Sequence, residues 1–428
     1  MKILSLLFFF FLLPTTSSGA EPKQEETLEP LVVTATRLKD VEEEISKIPR
    51  KVVVITNDEI EKLGAKTVQE VLQYQTGVVL YDLIGNEFQS TFDLRGFNGQ
   101  PVPGTTVFVD GVRVNEPDFN TVNFDFIPIE EVEKIEILYG PGTVYGRNSL
   151  AGVLNITMKR GIKEKPSFGA EAAGGSYHRQ KYSFTSDLPL PLPNFKNVFG
   201  VTRELSDGYR QDSGGRITRI FNKLGYSNES GTDISLSYTH VDDFLKQAGS
   251  LTKPQLDRNR RDNATPGDFK DSVYDLASLN LRQKLPAGFS LAMNAFYRGN
   301  NTDSRVIGLT SRSDARFGYD QWGGTIQLSH DHVFSRRNSF NLGVEYGRNY
   351  FSNRTDGSFS GFPFTTNTST KEDVVGIYFL DTLDIFETLS VTGGFRYDWD
   401  LIDFTDRVTR AFSFRKTFNH VSPRAGIV

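Results

Sequence analysis

The sequence predicts a compact α/β domain followed by an antiparallel transmembrane β-barrel. Three observations carry that reading. Helix and strand signals mix between residues 49 and 162, alternation with period two recurs from about residue 166 onward, and the links between the later strands alternate short and long. The composition agrees. Among 428 residues, Gly (38), Phe (34) and Tyr (16) are abundant while Trp (2) and Met (3) are scarce, which suits a β-protein with many tight turns. A mean hydropathy of −0.36 excludes a helical membrane bundle. A net charge of −5 is mild for this length and points to no nucleic-acid partner. The absence of cysteine removes disulfides, thiolate chemistry, Cys-based zinc sites and a lipoprotein anchor together.

Residues 1–20 read as a removable signal peptide. Lys2 precedes an apolar run, Ile3 to Leu13, which Pro14 breaks, and Ser18-Gly19-Ala20 supplies small residues for cleavage. At about 1.5 Å per residue, that run reaches only roughly half the hydrocarbon core, too little for an anchor. No later stretch approaches the length of a membrane helix, so a mature membrane protein would have to cross as a barrel. Residues 21–48 are rich in Glu and Lys around one apolar island, Leu31-Val32-Val33, and are expected to form a flexible segment.

Residues 49–162 are expected to fold as one α/β domain. Val52 to Ile55 is a buried-strand run, and Thr56-Asn57-Asp58-Glu59 opens a short helix with acidic residues in its first turn. Thr67 starts a second helix through Val68, Val71 and Leu72, stopped by Gly77. Strands follow at Phe92–Leu94, Thr106–Val109, Val132–Leu138 and Val153–Met158. Asp110-Gly111 lies between two β-prone runs and predicts a tight hairpin with glycine at positive φ.

Residues 163–428 are expected to supply about twelve barrel strands. Val391, Gly393, Phe395, Tyr397 and Trp399 interleave with Thr392, Gly394, Arg396, Asp398 and Asp400, and Phe340 to Tyr346 alternates in the same way. Periodicity alone leaves open which face looks outward, because a soluble β-sandwich also alternates. Link lengths favour the barrel: short links fall near 188–195, 226–231, 285–288, 333–338 and 386–389, and long polar ones near 205–215, 242–270, 299–319, 351–372 and 401–418. The run Leu188 to Pro193 reads as one of the short turns rather than a polyproline ligand.

No catalytic constellation emerges, and no metal or cofactor site is expected. The five histidines are scattered, and His330 and His332 share a strand face as any i, i+2 pair does. Gly140-Pro-Gly142 to Gly146 fails both phosphate-loop patterns. Two segments carry a specific signal instead. In Glu29 to Arg37, a short β-prone stretch within a charged tail either docks edge-on to another protein's sheet or begins the following domain. The second is an ordered series: Gln75-Thr-Gly77-Val78-Val79, Leu94-Arg95-Gly96-Phe97, Val107 to Val114, Ile127-Pro128, Val132 to Leu138, Gly140-Pro141-Gly142, Tyr145-Gly146 and Gly152 to Ile156.

This series resembles the plug domain of TonB-dependent outer-membrane receptors. Glu29 to Arg37 is then similar to their TonB box, and His420-Val-Ser422-Pro423-Arg424-Ala-Gly426 to a strand motif of their barrels. The resemblance implies a 22-stranded barrel around a plug, of which this chain carries about twelve strands. It stops at Val428 inside a strand-like run, so it is expected to be an N-terminal fragment lacking about 200–250 residues. What the resemblance further implies is a receptor in the outer membrane of a Gram-negative bacterium, not an enzyme. It would import a scarce ligand, in first place a ferric siderophore. Cobalamin, haem, an oligosaccharide receptor or an inactive truncated product are the alternatives. Leu31, Val32, Val33, Thr34 and Ala35 would add a strand to TonB, energised by its inner-membrane complex. Asn86, Phe88, Phe97, Asn98, Gln100 and Phe119 on the plug's apical loops would meet ligand. Arg95, Glu133, Glu136 and Arg147 would make polar contacts between plug and barrel wall, the alternative being ordinary surface ion pairs. A passive porin would need neither box nor plug, and an enzyme or adhesin would need catalytic groups or a passenger region.

Overall fold

The computed structural model describes residues 32–34, 42–44, 50–82, 85–86, 88, 90–97, 104–118, 120–161, 165–308, 310–331, 338–386 and 388–428. The expected signal peptide, Leu31, Ala35, Asn98, Gln100 and Phe119 lie outside the described residues. The first two strands, β1 (Val32–Thr34) and β2 (Glu42–Glu44), pair antiparallel with Val33 opposite Glu43.

The α/β part follows its local sequence signals. Strand β3 (Val52–Thr56) leads straight into helix α1 (Asn57–Leu63). Thr56 caps α1: its hydroxyl accepts from the Glu59 amide, and the Glu59 carboxylate accepts from the Thr56 amide at 2.8 Å. Gly64 ends it in the left-handed region, at φ +60°. Thr67 caps α2 (Val68–Leu72), whose Val68, Val71 and Leu72 are buried. The chain continues through β4 (Val78–Asp82), β5 (Ser90–Leu94), β6 (Thr105–Val109), β7 (Val112–Arg113), β8 (Val132–Tyr139) and β9 (Gly152–Met158). Strands β4 and β5 pair with each other, and the other five form a sheet in the order β3-β8-β9-β6-β7. Asp110 (φ +46°) and Gly111 (φ +80°) both adopt positive φ in the β6–β7 turn, the backbone such a two-residue hairpin requires.

Twelve antiparallel strands follow in simple meander order: β10 (Ser167–Gly174), β11 (Gln180–Pro189), β12 (Phe195–Ser206), β13 (Gly215–Ser227), β14 (Thr232–Gln247), β15 (Asp268–Lys284), β16 (Phe289–Ile307), β17 (Ser311–Asp331), β18 (Asn338–Phe359), β19 (Phe362–Phe386), β20 (Leu389–Asp406) and β21 (Phe414–Ile427). The sheet is an open wall with β10 and β21 at its edges. Its faces resolve the ambiguity of the periodicity. Leu236, Ile326, Val344 and Phe395 are about half exposed on one face, while Ser272, Ser278, Asn294, Gln327 and Ser329 are buried on the other. An apolar outside and a polar inside is the inverse of a soluble sheet and the arrangement of a lipid-facing barrel.

Two expected long links are corrected. Residues 299–319 and 351–372 are mostly strand: β16 and β17 join through 308–310, and β18 and β19 through 360–361. With 21, 22 and 25 residues, β17, β18 and β19 run past any hydrocarbon layer. Beyond it both faces meet water, so the ladder persists while the apolar alternation that marks a strand disappears. The long connections at 207–214, 248–267 and 407–413 stand, all at the end opposite the short turns at 190–194, 228–231 and 285–288. Loop 248–267 carries a third helix, α3 (Lys253–Arg258).

Candidate functional site

The α/β domain lies against the inner face of the wall, and the contact begins as shared apolar packing. Ile55, Val71, Leu94, Val107, Ile135 and Ile156 form one buried cluster with wall residues that include Ile217, Phe221, Val241 and Leu276. Phe126 stacks on Tyr274 of the wall, with centroids 4.2 Å apart and planes at 18°. A second cluster joins Val52, Phe108, Leu138, Tyr145 and Val153 to Tyr378 and Leu380.

Polar contacts fix the register of that packing. Wall cations reach inward and donate to backbone carbonyls that the domain's own sheet leaves unpaired. Arg298, fully buried, donates to the carbonyls of Val114 and Asn115, the latter at 2.6 Å, and to Gln321 at 2.6 Å. Arg219 donates to the Asp125 carbonyl at 2.5 Å and to Glu204 at 2.6 Å. Lys223 joins the Asp110 carboxylate at 2.7 Å, and Arg396 reaches the Val144 carbonyl at 3.2 Å. Such charge-assisted bonds are short and directional, and a buried carbonyl left without a donor costs about 1–3 kcal/mol. These four cations were not singled out in the sequence. The signal was there: each is a basic residue on the inward face of an alternating strand, Arg219 and Lys223 together on β13.

Of the expected plug–wall contacts, Arg147 sits against the wall. Its guanidinium binds both Glu372 oxygens, at 2.5 and 2.9 Å, and Asp400 at 2.5 Å. Burial works against its charge, but Glu372 and Asp400 outweigh it and raise its pKa above the ordinary arginine value. Glu136, fully buried, binds Lys134 and Asn155 within its own sheet, at 2.6 and 2.8 Å. Glu133 is half-buried, and Arg95 is exposed in a turn at φ +59°. Two further carboxyls had no signal in the sequence. Burial pushes Asp125 up to about 7, with Asp243 adding and Lys270 opposing. Burial likewise takes Glu131 to about 7, with Lys159 opposing and Glu130 adding. Glu131 fits only because the wall has glycine at 200, where a Cβ would lie 2.3 Å from its Oε1.

The apical-loop candidates divide. Asn86 is buried and bridges two wall carbonyls, Ser213 at 3.1 Å and Lys246 at 2.7 Å, while its own oxygen accepts from the Phe88 amide. Phe88 is buried, with the Arg179 guanidinium 5.5 Å from its ring centroid. In this arrangement both hold the apical turn to the wall rather than face open space. Phe97 is exposed. Asn115, in the neighbouring loop, is an internal brace: it accepts from the Val107 amide and donates to the carbonyls of Thr105 and Asn120.

Between the loop at 113–120, the turn at 145–148 and the wall lies a cavity of about 760 Å³. Arg113, Glu116, Asp118, Arg147, Glu345 and Arg396 give its lining both signs of charge, and Tyr346 and Phe418 add aromatic surface. Among the described residues, no group of three His, Cys, Asp or Glu side chains is placed to hold a metal ion, and no helix is long and apolar enough to cross a membrane.

Comparison with known proteins agrees with this architecture. Residues 44–153 match the TonB-dependent receptor plug domain, and residues 207–428 match the TonB-dependent receptor-like β-barrel. The chain is 28% identical over 226 residues to the vitamin B12 transporter BtuB of Vibrio vulnificus, covering 52% of this chain and 35% of that protein. It is 27% identical over 256 residues to the rhizobactin receptor of Rhizobium meliloti, covering 58% and 31%. Each alignment thus spans about a third of the relative's length. Among solved structures, the unliganded ferric citrate transporter FecA superposes with a TM-score of 0.77 at 18% identity, covering 90% of this chain and 60% of that one. The siderophore receptor PiuA of Acinetobacter baumannii does so with 0.75 at 15%, covering 95% and 65%. At those identities the structures speak for the fold alone. With a plug seated on a polar inner wall and both halves matching the corresponding family models, the chain belongs to the TonB-dependent receptors.

Proposed function

We propose that this chain serves an energy-coupled receptor that imports a scarce ligand across the outer membrane of a Gram-negative bacterium, with a ferric siderophore as the cargo. One observation carries the reading: a folded domain fills the inner face of the wall and is tethered to it by buried charges, so passage requires work on that domain. A passive pore has no use for such a stopper. Ligand arrives at the end bearing the long loops and occupies the cavity beside Arg113, Glu116 and Arg147. The segment Leu31 to Ala35 docks on a sheet edge of TonB, and its inner-membrane complex supplies the force. Beyond the β1–β2 pair, strand β3 is the next element that a pull from this side reaches, and it lies at the edge of its sheet, paired with β8 alone. Phe97, Asn98, Gln100 and Phe119 remain the proposed apical ligand contacts.

Cobalamin is the second reading, favoured by the identity of 28–32% to vitamin B12 transporters. The test is uptake against binding. Val33→Pro in the intact receptor removes a backbone donor from the docking strand. Ligand binding at the cell surface should be unchanged and accumulation in the cell abolished. Accumulation at the unmodified rate would overturn energy coupling through this segment. Running the test with iron(III) chelates and cyanocobalamin side by side identifies the cargo.

A further inference from the structure

One short plug segment, residues 123–131, presents two acidic side chains to the wall, and at both places the wall answers with another acid. Asp125 and Glu131 are buried, and among the described residues no donor reaches Asp125 Oδ2 or Glu131 Oε1. The wall carboxyls repeat the deficit: Asp243 Oδ1 on β14 and Asp187 Oδ1 on β11 are also buried without a donor. The strand register brings each pair together. Arg219 of β13, which donates to the Asp125 carbonyl, stands opposite Val241, one inward position from Asp243. Glu131 Oε1 lies over Gly200 of β12, and Val198, one inward position from Gly200, stands opposite Asp187.

The nearby cations are committed elsewhere. Lys270 binds Asp243 through its other oxygen at 3.2 Å, and Arg219 binds Glu204 at 2.6 Å. Lys159 donates to the Glu130 carbonyl at 2.7 Å, and Lys181 is shared between Glu130 and Glu171 at 2.7 and 3.0 Å. Two ionised carboxylates facing each other in a dry contact repel, and their bare oxygens lack the donors that water would give. One proton removes both penalties, because it cancels a charge and supplies the missing donor. Burial is the largest influence on each plug carboxyl and pushes both up to about 7. Around Asp125, Lys270 and Arg219 oppose it while Asp243 and Glu204 add to it. Around Glu131, Lys159 opposes it while Glu130 and Asp187 add to it. A cavity of about 260 Å³ adjoins Asp125, lined also by Gln69, Glu116, Lys270 and Thr302, with room for the water that carries a proton in and out.

We propose that residues 123–131 form a proton-operated latch: one proton bound in each plug–wall pair, Asp125 with Asp243 and Glu131 with Asp187, docks the segment on the wall, and their loss frees it. The latch shares no residue with the Arg147 contacts on β19 and β20. Its sign follows from the docked state holding the protons. Docking is complete below the ordinary carboxylate range, about pH 4, and weakens as pH rises towards about 7. Acid therefore seats the plug, and a neutral medium loosens it at one segment. The latch concerns the plug alone and stands whichever ligand is carried.

Amide hydrogen exchange of the intact receptor in detergent, read as an opening constant corrected for the intrinsic pH dependence of exchange, tests it. The reporters are the Ile127 amide, bonded to the Phe124 carbonyl, and the Lys159 amide, bonded to the Glu131 carbonyl. Release of two protons on opening makes that constant rise about a hundredfold per pH unit near about pH 5.5. Asp125→Asn and Glu131→Gln each replace a carboxyl by an amide of the same shape that donates at every pH. Each should reduce the rise to about tenfold per unit, and the double variant should abolish it. Glu133→Gln, which changes a plug carboxyl outside both pairs, should leave the full rise in place. The latch is overturned if the unmodified receptor opens equally at about pH 5 and about pH 6.5, or if the double variant keeps the rise. It is overturned as well if amides in the middle of β8 show the same rise, since the segment would then open only with the whole plug.

Discussion

Replacing Arg298 by Met should release one plug loop from the wall while leaving the rest of the plug in place. Arg298 is fully buried and holds the carbonyls of Val114 and Asn115, and Met fills a similar volume without donating. Two buried carbonyls without partners cost about 1–3 kcal/mol each. Loss of the cation–π contact with Tyr319, 4.8 Å from the guanidinium carbon, adds about 1 kcal/mol. Relief from desolvating a buried cation offsets several kcal/mol of this. The net loosening is about 2–4 kcal/mol, equivalent to a roughly 30- to 900-fold rise in opening at 25 °C. Amide hydrogen exchange reads it directly. The Glu116 amide, bonded to the Thr121 carbonyl, and the Asn120 amide, bonded to the Glu116 carbonyl, should exchange faster by that factor. Amides of β8, two strands away from β6 in the sheet order, should keep their protection. Unchanged exchange at 116 and 120 in a folded variant, or a uniform rise across the plug, would refute the view that wall cations hold individual plug carbonyls.

Two other perturbations follow from the same contacts. Asp125 has a folded pKa of about 7, above the ordinary carboxylate range, so its contribution is present in full at low pH and is lost as pH rises through about 7. Plug protection should therefore fall between about pH 4 and pH 7, and Asp125→Asn should flatten that part of the profile in exchange measurements. Gly343→Ala would place a Cβ 2.1 Å from the Tyr378 ring, which packs on Val52, Phe108 and Val153 of the plug. The displaced ring should cost about 1–3 kcal/mol, seen as a lower unfolding midpoint in detergent.

How much of this was legible in the sequence depends on the range of the interaction. Caps and tight turns are local, so Thr56 with Glu59, and Asp110 with Gly111, stand where the residues placed them. Period-two alternation gave the twelve strands but left the sign of the faces open, because alternation is the same whether lipid or core lies on the apolar side. The structure decides it through exposed Leu236 and buried Ser278. The extended hairpins of β16 to β19 were unreadable as strands because exposed, charged residues such as Arg316 and Asp303, paired with each other across the ladder, break the apolar alternation. Contacts across more than a hundred residues, such as Lys223 with Asp110 or Asn86 with Lys246, left no local trace. For that reason Asn86 and Phe88, chosen for their loop, are found braced against the wall. Arg147 is the instructive case: a motif placed it, but only the structure supplies Glu372 and Asp400 as its partners.

The account stands on the plug lying against the inner, polar face of the wall. These 428 residues contain no cysteine, so an introduced pair supplies the only thiols within them. Asp110→Cys with Lys223→Cys joins positions whose side chains meet at 2.7 Å, whereas Asp110→Cys with Leu236→Cys asks the same plug residue to reach the outer face one strand away. With a short bis-maleimide applied to outer-membrane vesicles, the first pair should cross-link and the second should not. No product from the first pair, or equal product from both, would contradict a plug seated on the inner face of the wall.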